Sequence, residues 1–237
     1  MFLLEGPRPV IDALKAGNSI EAVFFRESIA DSREARETEA LCADSGVRTA
    51  ALADDLFDRL SETEHSQGIL AEARKTVPQK LQGPVVILDR LQDPGNIGTI
   101  IRTAEAAGFG ALIAIKGTGD LYSPKTARAA AGSLLRVVVF EGMETDAAVS
   151  LCREKGLRII ASDLEGAVEY TDADMTGDIA LVIGNEGSGI SREIRDAADV
   201  KVKIPMEGNI ESLNAAAAAA ILMYEAVRQR NAAGKAE

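Results

Sequence analysis

Short, nearly continuous hydrophobic runs recur along the last two thirds of the chain. They are rich in β-branched residues, as expected for strands buried on both faces of a parallel sheet. Between most of them lie helical patterns, two of which end at Gly108 and Gly156, the residue type that often follows a helix. This alternation predicts an α/β fold with a parallel sheet. The predicted strands are VVILD (85–89), ALIAI (111–115), LRVVVF (135–140), LRIIAS (157–162), IALVIG (179–184) and VKVKIP (200–205).

The first 75 residues show a weaker alternation of the same kind. EAVFFR (21–26) and GILAEA (68–73) are predicted strands, SREARETEALCADSG (32–46) is a predicted exposed helix, and DDLFDRLSET a short helix. The segment that follows, TVPQKLQGP, holds two prolines and a glycine, which is typical of a linker. We therefore predict a small α/β domain at 1–75, a linker at 76–83 and a second domain at 84–237.

The pattern ends in one long helix that contains an alanine run at 215–220. Six small side chains in succession allow another helix to approach closely. This helix is therefore predicted to pack in the core or at a dimer interface.

Composition narrows the class of protein. Hydrophobic residues make up 46% of the 237, enough for a core, yet no run of about 18 apolar residues exists to span a membrane. Cys42 and Cys152 lie far apart with no histidine cluster, so neither a metal site nor a disulfide framework is predicted. With no signal peptide pattern at the N-terminus, we expect a cytoplasmic protein. The net charge of −11 argues against nucleic-acid binding unless a local basic patch exists.

Polar residues of chemical interest fall in three segments that each begin where a predicted strand ends. Open α/β sheets bind ligands at these carboxyl ends, so the three segments can form one site. They are LDRLQDPGNIGTIIRTAEAAGFG (88–110), ALVIGNEGSGIS (180–191) and VKIPMEGNIESLNAAAAAAILMYE (202–225).

Taken singly, the polar residues of these segments have ordinary explanations. Asn96 is a predicted helix cap after the Asp93-Pro94-Gly95 turn, Arg102 a solvated side chain, and Ser212 and Asn214 caps of the last helix. The middle segment brings three glycines around Glu186 but contains neither GxxxxGK[ST] nor GxGxxG. A nucleotide-dependent kinase or oxidoreductase is therefore excluded.

Together the three segments resemble the successive motifs of the SpoU (TrmH) family of RNA 2′-O-ribose methyltransferases, in the SPOUT superfamily. The motif-bearing part covers about two thirds of the chain. LEGPRPVIDAL and SQGILAEA are similar to the start and end of the substrate-binding domain that many members carry. The family's valines and serines in the third motif are alanines here, a conservative change for a packed helix.

The resemblance implies a deep trefoil knot at the C-terminus, bound S-adenosylmethionine, and a homodimer that methylates a ribose 2′-hydroxyl of structured RNA, without metal or membrane. Glu105 is a further candidate in the first motif. The matched residues for catalysis are Asn96, Arg102, Glu186, Ser212 and Asn214. Those for cofactor binding are Ser162, Gly184, Asn185, Ile204, Met206 and Leu213.

The same resemblance changes how the glycine-rich loop is interpreted. S-adenosylmethionine carries a positive sulfonium and no phosphate, so an acidic residue in this loop is compatible with the ligand. Glu186 is expected to orient its neighbours, because an ordinary glutamate is too weak a base for a ribose hydroxyl. Arg102 either loses its proton and acts as the base or stays charged and stabilises a phosphate or the developing alkoxide. We favour the charged form.

Three substrates or roles fit the resemblance. Ribosomal RNA is favoured, because the N-terminal domain is typical of that branch of the family. The alternatives are a tRNA 2′-O-methyltransferase and a non-catalytic RNA-binding or assembly factor on the same fold.

Overall fold

The computed structural model describes residues 1–17, 20–61, 66–75, 81, 83–165 and 167–234. The N-terminal part forms a four-stranded sheet with the order β1-β4-β2-β3, in which β2 and β3 are parallel and the other pairs antiparallel. Its elements are β1 (Phe2–Glu5), α1 (Pro7–Lys15), β2 (Ile20–Arg26), a 3-10 turn (Glu27–Ile29), α2 (Arg33–Ser45), β3 (Arg48–Leu52), α3 (Asp54–Leu60) and β4 (Ile69–Ala73).

The rest of the chain forms a seven-stranded sheet with the order β7-β6-β5-β10-β8-β11-β9, and every neighbouring pair is parallel. The predicted α/β fold with a parallel sheet is therefore confirmed. The elements are β5 (Val85–Asp89), α4 (Pro94–Ala106), β6 (Ala111–Ile115), α5 (Pro124–Ala130), a 3-10 turn (Ser133–Leu135), β7 (Val138–Met143), α6 (Thr145–Glu154), β8 (Arg158–Ser162), β9 (Val168–Glu169), β10 (Ile179–Gly184), α7 (Arg192–Ala197), β11 (Val200–Lys203) and α8 (Ala215–Ala233).

Three of the hydrophobic runs match strand bounds to the residue, those of β5, β6 and β10. The other three runs that match strands of this sheet start too early or end too late, the run at 157–162 by only one residue. β7 begins only at Val138, because the 3-10 turn takes the first residue of the predicted run, and β11 ends at Lys203, two residues before Pro205. Most of the predicted linker lies outside the described residues.

The hydrophobic pattern of the sequence did not predict three elements of the N-terminal part, namely the strands β1 and β3 and the helix α1. Helix α1 begins at Pro7 and contains Pro9, which suits a first turn but obscures the helical pattern. Strand β3 lies at the sheet edge with four of its five residues exposed, so it has no apolar alternation to detect.

Helices cover both faces of the large sheet. Alternate side chains of β5 point to opposite layers: Val86 and Leu88 pack with α4 and α8, while Val85 and Ile87 pack with α6 and α7. Burial on both sides explains the continuous hydrophobic runs. In the part of the chain that the structure describes, no helix combines the length and apolar character needed to cross a membrane.

The two sheets meet through contacts around α5. The Phe2 and Tyr122 rings lie 4.9 Å apart between centroids, and the Lys75 Nζ sits 4.2 Å above the Tyr122 ring. Arg128 of α5 forms an ion pair of 3.5 Å with Glu5 of β1. Apolar stacking and a partly buried charge pair therefore join β1 to the helical layer of the larger sheet.

Helices α4 and α5 approach closely at Gly98. A Cβ atom there would lie 2.5 Å from both the Ala129 Cβ and the Thr126 carbonyl oxygen. Only glycine allows this contact without moving a helix.

We expect Gly98→Ala to lower the free energy of unfolding by about 1–3 kcal/mol, because the methyl group forces the two helices apart. Urea unfolding monitored by circular dichroism measures the change. Thr99→Ala, at the exposed neighbouring position, is the control and should stay within about 0.5 kcal/mol of wild type. Equal stability of Gly98→Ala and wild type would contradict the packing described.

Candidate functional site

A cavity of about 670 Å³ opens at the carboxyl ends of β8, β10 and β11. Small-molecule sites commonly have volumes of about 300–1,000 Å³, so it is large enough for a nucleoside-sized ligand. Its walls are built from four segments of the chain: 162–165, 183–190, 203–206 and 211–218.

The loop after β10 forms one wall and is closed by its own hydrogen bonds. Asn185 and Gly189 exchange two backbone hydrogen bonds of 2.9 Å. The Asn185 amide oxygen accepts from the backbone N–H groups of Gly187 and Ser188, and its nitrogen donates to the Arg90 carbonyl at 2.8 Å. Both ends of the Asn185 amide are thus committed to protein partners, and a bound molecule meets mainly the loop backbone.

Glycine is required at position 184 by this loop itself. A side chain there would collide with the backbone of Gly189 and Ile190, which folds back over it. The returning loop therefore makes the close approach at Gly184, and Gly184 also lines the cavity.

The predicted helix cap at Asn96 is wrong. Asp93 is the N-cap of α4, and its carboxylate accepts from the Asn96 backbone N–H at 2.8 Å. Asn96 instead occupies the third helical position, where its side chain is free to bond elsewhere. Asn214 is the N-cap of α8 as expected, accepting from Ala216 and Ala217.

The side chains of Asn96, Glu186 and Asn214 form one chain of hydrogen bonds between the three motifs. The Asn96 nitrogen donates to Glu186 Oε1 at 3.1 Å, and the Asn214 nitrogen donates to Asn96 Oδ1 at 2.9 Å. This interaction ties the start of α4, the loop after β10 and the start of α8 into a single rim of the cavity.

Glu186 also accepts hydrogen bonds from the backbone N–H groups of Gln92 and Asp93, each at 3.3 Å. Burial raises the pKa of Glu186, but its own backbone N–H, the Asn96 amide and these two N–H groups together lower it below the ordinary value. Glu186 is therefore surrounded by hydrogen-bond donors that favour its ionised form.

The structure places most of the eleven predicted site residues around the cavity. The two that do not line it are Asn96, which lies behind Glu186, and Arg102, which is exposed on α4. Glu105 forms an ion pair with Arg136 and does not reach the cavity. The residues that line it are Ser162, Gly184, Asn185, Glu186, Ile204, Met206, Ser212, Leu213 and Asn214.

Sequence reasoning missed three charged residues at the site. Asp163 and Arg195 both line the cavity and pair at 2.7 Å. Asp89, buried at the end of β5, accepts the Ser191 backbone N–H at 2.5 Å and so fixes the end of the glycine-rich loop. An acidic residue directly after a hydrophobic strand was the available signal for Asp89 and for Asp163.

The lining suits a ligand with apolar and positively charged parts. Ile204 and Leu213 offer apolar contact. Acidic side chains of the lining outnumber basic ones by four to two: Asp163, Glu165, Glu186 and Glu211 against Arg195 and Lys203. Among the described residues, no group of His, Cys, Asp or Glu could hold a metal ion.

Comparison with known proteins matches both parts of the chain to described families. The SpoU rRNA Methylase family matches residues 83–224. The family described as RNA 2'-O ribose methyltransferase substrate binding matches residues 3–78.

Individual relatives are similar over nearly the whole chain. RlmP of Bacillus subtilis (strain 168), a 23S rRNA (guanosine(2553)-2'-O)-methyltransferase, is 33% identical over 228 residues, covering 94% of this chain and 87% of the relative. The SpoU methyltransferase AviRb of Streptomyces viridochromogenes, in complex with AdoMet, is 33% identical with a TM-score of 0.84, over 96% of this chain and 89% of that one. An AdoMet-bound rRNA methyltransferase of Sinorhizobium meliloti is 30% identical with a TM-score of 0.81, and the match covers 96% of this chain and 87% of that one.

The lowered pKa of Glu186 predicts a pH dependence of stability. Its contribution is present above the ordinary glutamate pKa and is lost as pH falls through the lower folded-state value. Between about pH 5 and pH 3 the wild type should therefore lose more unfolding free energy than Glu186→Gln, which does not titrate. Urea unfolding of both proteins across this range tests it, and parallel pH profiles would contradict it.

Proposed function

Because the chain belongs to the SpoU rRNA methylase family, we propose that it transfers the methyl group of S-adenosylmethionine to a ribose 2′-hydroxyl of structured RNA, with rRNA as the substrate. The observation that carries this proposal is the hydrogen-bonded rim of Asn96, Glu186 and Asn214 beside a ligand-sized cavity. Similarity to an rRNA methyltransferase across both parts of the chain supports rRNA over tRNA. An intact set of site residues supports an enzyme over a non-catalytic factor.

The cofactor would lie against the backbone of the loop after β10. Gly184, Asn185 and Ile204 are proposed to meet its adenine edge through main-chain groups, while Met206 and Leu213 cover its apolar surface and Ser162 donates or accepts a hydrogen bond. When bound, S-adenosylmethionine supplies an electrophilic methyl group on a positively charged sulfur. The acidic lining of the cavity is compatible with that charge.

The chain's own contribution is mainly positioning. Holding the ribose hydroxyl in line with the reacting centre supplies several kcal/mol without covalent chemistry. The hydrogen bond between Asn96 and Asn214 fixes the orientation of both side chains. Together with Ser212 they are proposed to orient the ribose and the side chain of Arg102. Glu186 keeps Asn96 in place and takes no proton, so the proton of the ribose hydroxyl is released to solvent water.

Arg102 is proposed as the catalytic residue that meets the RNA. It is exposed on α4 and has no ion pair among the described residues, so its guanidinium is available for a substrate phosphate or the developing alkoxide. A guanidinium normally keeps its proton in proteins, which favours electrostatic stabilisation over general-base action.

Arg102→Ala should lower methyl transfer to an rRNA transcript by at least about 100-fold, since the charge that stabilises the transition state is gone. Its affinity for S-adenosylmethionine, measured by calorimetric titration, should match wild type because Arg102 lies outside the cavity. Thr99→Ala, one turn earlier on α4, serves as the control and should keep full activity. Wild-type transfer by Arg102→Ala would refute the catalytic assignment, and failure of wild type to bind the cofactor would refute the proposed function.

We also propose a homodimer formed by α4 and α8. The outer side of α8 exposes Ile221 and Tyr224, which are 36% and 51% accessible. Large apolar side chains beside small alanines on one helix face are compatible with close packing against a second copy. The exposed Arg102 of α4 would then lie near the partner's site.

Tyr224→Glu is expected to convert two-copy particles into single copies in sedimentation velocity, because a charge would be buried at the interface. Leu60→Glu on α3 introduces the same charge at another exposed apolar position, 42% accessible, and should leave the particle size unchanged. Identical sedimentation of Tyr224→Glu and wild type would place the interface elsewhere.

The remaining expectations are proposals as well. A division into domains at 1–75 and 84–237 is supported by two sheets that share no strand. A trefoil knot is supported by the path of residues 204–214, which run from β11 near the sheet edge back to α4. A cytoplasmic location fits an rRNA substrate and two free, buried cysteines.

A further inference from the structure

The chain is strongly acidic, yet several basic side chains among the described residues form no ion pair, and three of these lie on helices that surround one junction. They are Arg8 on α1, Arg102 on α4 and Lys125 on α5. All three are exposed, and within the described residues none forms an ion pair. We call this set the basic track.

Packing places Arg102 and Lys125 on neighbouring helices. Gly98 of α4 lies against Ala129 of α5, and Arg102 is one helical turn beyond Gly98 on the same side of α4. Lys125 is one turn before Arg128 on α5. The two side chains therefore flank the crossing of α4 and α5.

Two contacts bring α1 to the same junction. Glu5, which pairs with Arg128, lies three residues before Arg8, and this limits their separation to about 10 Å along the chain. Glu105 raises the pKa of the Arg136 guanidinium, and the negative charge of Asp12 adds to this effect. Asp12, which is one turn after Arg8 on α1, therefore lies near Arg136. Because Arg136 pairs with Glu105 of α4, Asp12 of α1 lies towards the C-terminal end of α4.

Two of the three carboxylates named at this junction are neutralised by ion pairs, and the third, Asp12, lies near Arg136. The Glu5 side chain is only 8% exposed and is paired with Arg128, while Glu105 is paired with Arg136. Helices α2 and α3 differ from α1 in charge, since together they hold seven acidic residues against three basic ones. Helix α1 holds two basic residues against one acidic residue, so its net charge is positive.

We propose that the basic track binds consecutive phosphates of the RNA and guides the strand from α1, across α5, to the ribose beside Arg102. This inference rests on the proposed function. It specifies, in addition, that the N-terminal part meets the RNA through α1. The acidic helices α2 and α3 would repel the same backbone, so the RNA is expected to pass over α1 and α5 and to avoid α2 and α3.

A matched pair of double variants tests the track. Arg8→Gln/Lys125→Gln removes two positive charges from it, and Arg33→Gln/Arg59→Gln removes two from α2 and α3, so both lower the net charge equally. Arg102 stays in place because it belongs to the proposed catalytic machinery. Each protein is assayed for methyl transfer to an unmodified 23S rRNA transcript, for RNA binding at several salt concentrations and for S-adenosylmethionine binding by calorimetry.

For the track variant we expect a KM for RNA at least about 10-fold higher, a kcat within about 2-fold of wild type and unchanged cofactor affinity. The slope of log K against log salt should become shallower by about 1.4, or about 0.7 for each phosphate that the protein no longer neutralises. The α2 and α3 variant should keep both the KM and the slope of wild type.

Equal KM changes in the two variants, or a track variant with an unaltered salt slope, would overturn the proposal. A loss of kcat and of cofactor affinity would show damage to the fold and would also count against a phosphate track. If wild type binds S-adenosylmethionine and methylates RNA while the variants behave alike, the track alone is wrong. Wild type that does neither would overturn the proposed function itself.

Discussion

The hydrogen-bonded chain of Glu186, Asn96 and Asn214 is the interaction on which the site depends. Its two hydrogen bonds join residues that are 90 and 118 positions apart in sequence. Both ends of the Asn96 amide have a protein partner, so the orientation of this side chain is fixed. The cavity exists as a defined shape because these segments are held in one position relative to each other.

Close helix packing keeps that arrangement in place. Gly98 lets α4 touch α5, and the alanines of α8 let it lie against α4 and β10. Farther along α8, Gln229 bonds to the backbone of Ala173 and Met175, and Arg230 donates to the Ala107 carbonyl. A helix that is fixed along its length has a fixed first turn as well, and the cap Asn214 lies directly before that turn.

The distribution of charge reconciles an acidic chain with a polyanionic substrate. Carboxylates near the junction of the two sheets are taken up in ion pairs with arginines, whereas those of the cavity face a space suited to a positively charged ligand. Net charge sums over the whole surface and hides such local differences. The objection to RNA binding that composition raised applies to α2 and α3 and not to α1.

The sequence by itself determined the features that depend on near neighbours. Hydrophobic runs defined β5, β6 and β10, and Gly108 and Gly156 follow helices in the left-handed conformation as predicted. The family motifs could also be read from the sequence, since they are contiguous. Only the tertiary structure decided the strand order and the pairing of Asp163 with Arg195. It also showed that Asp93, and not Asn96, caps α4. The physical reason is that periodicity and capping act within about one helical turn. Strand pairing and hydrogen bonds between loops depend on where distant segments meet.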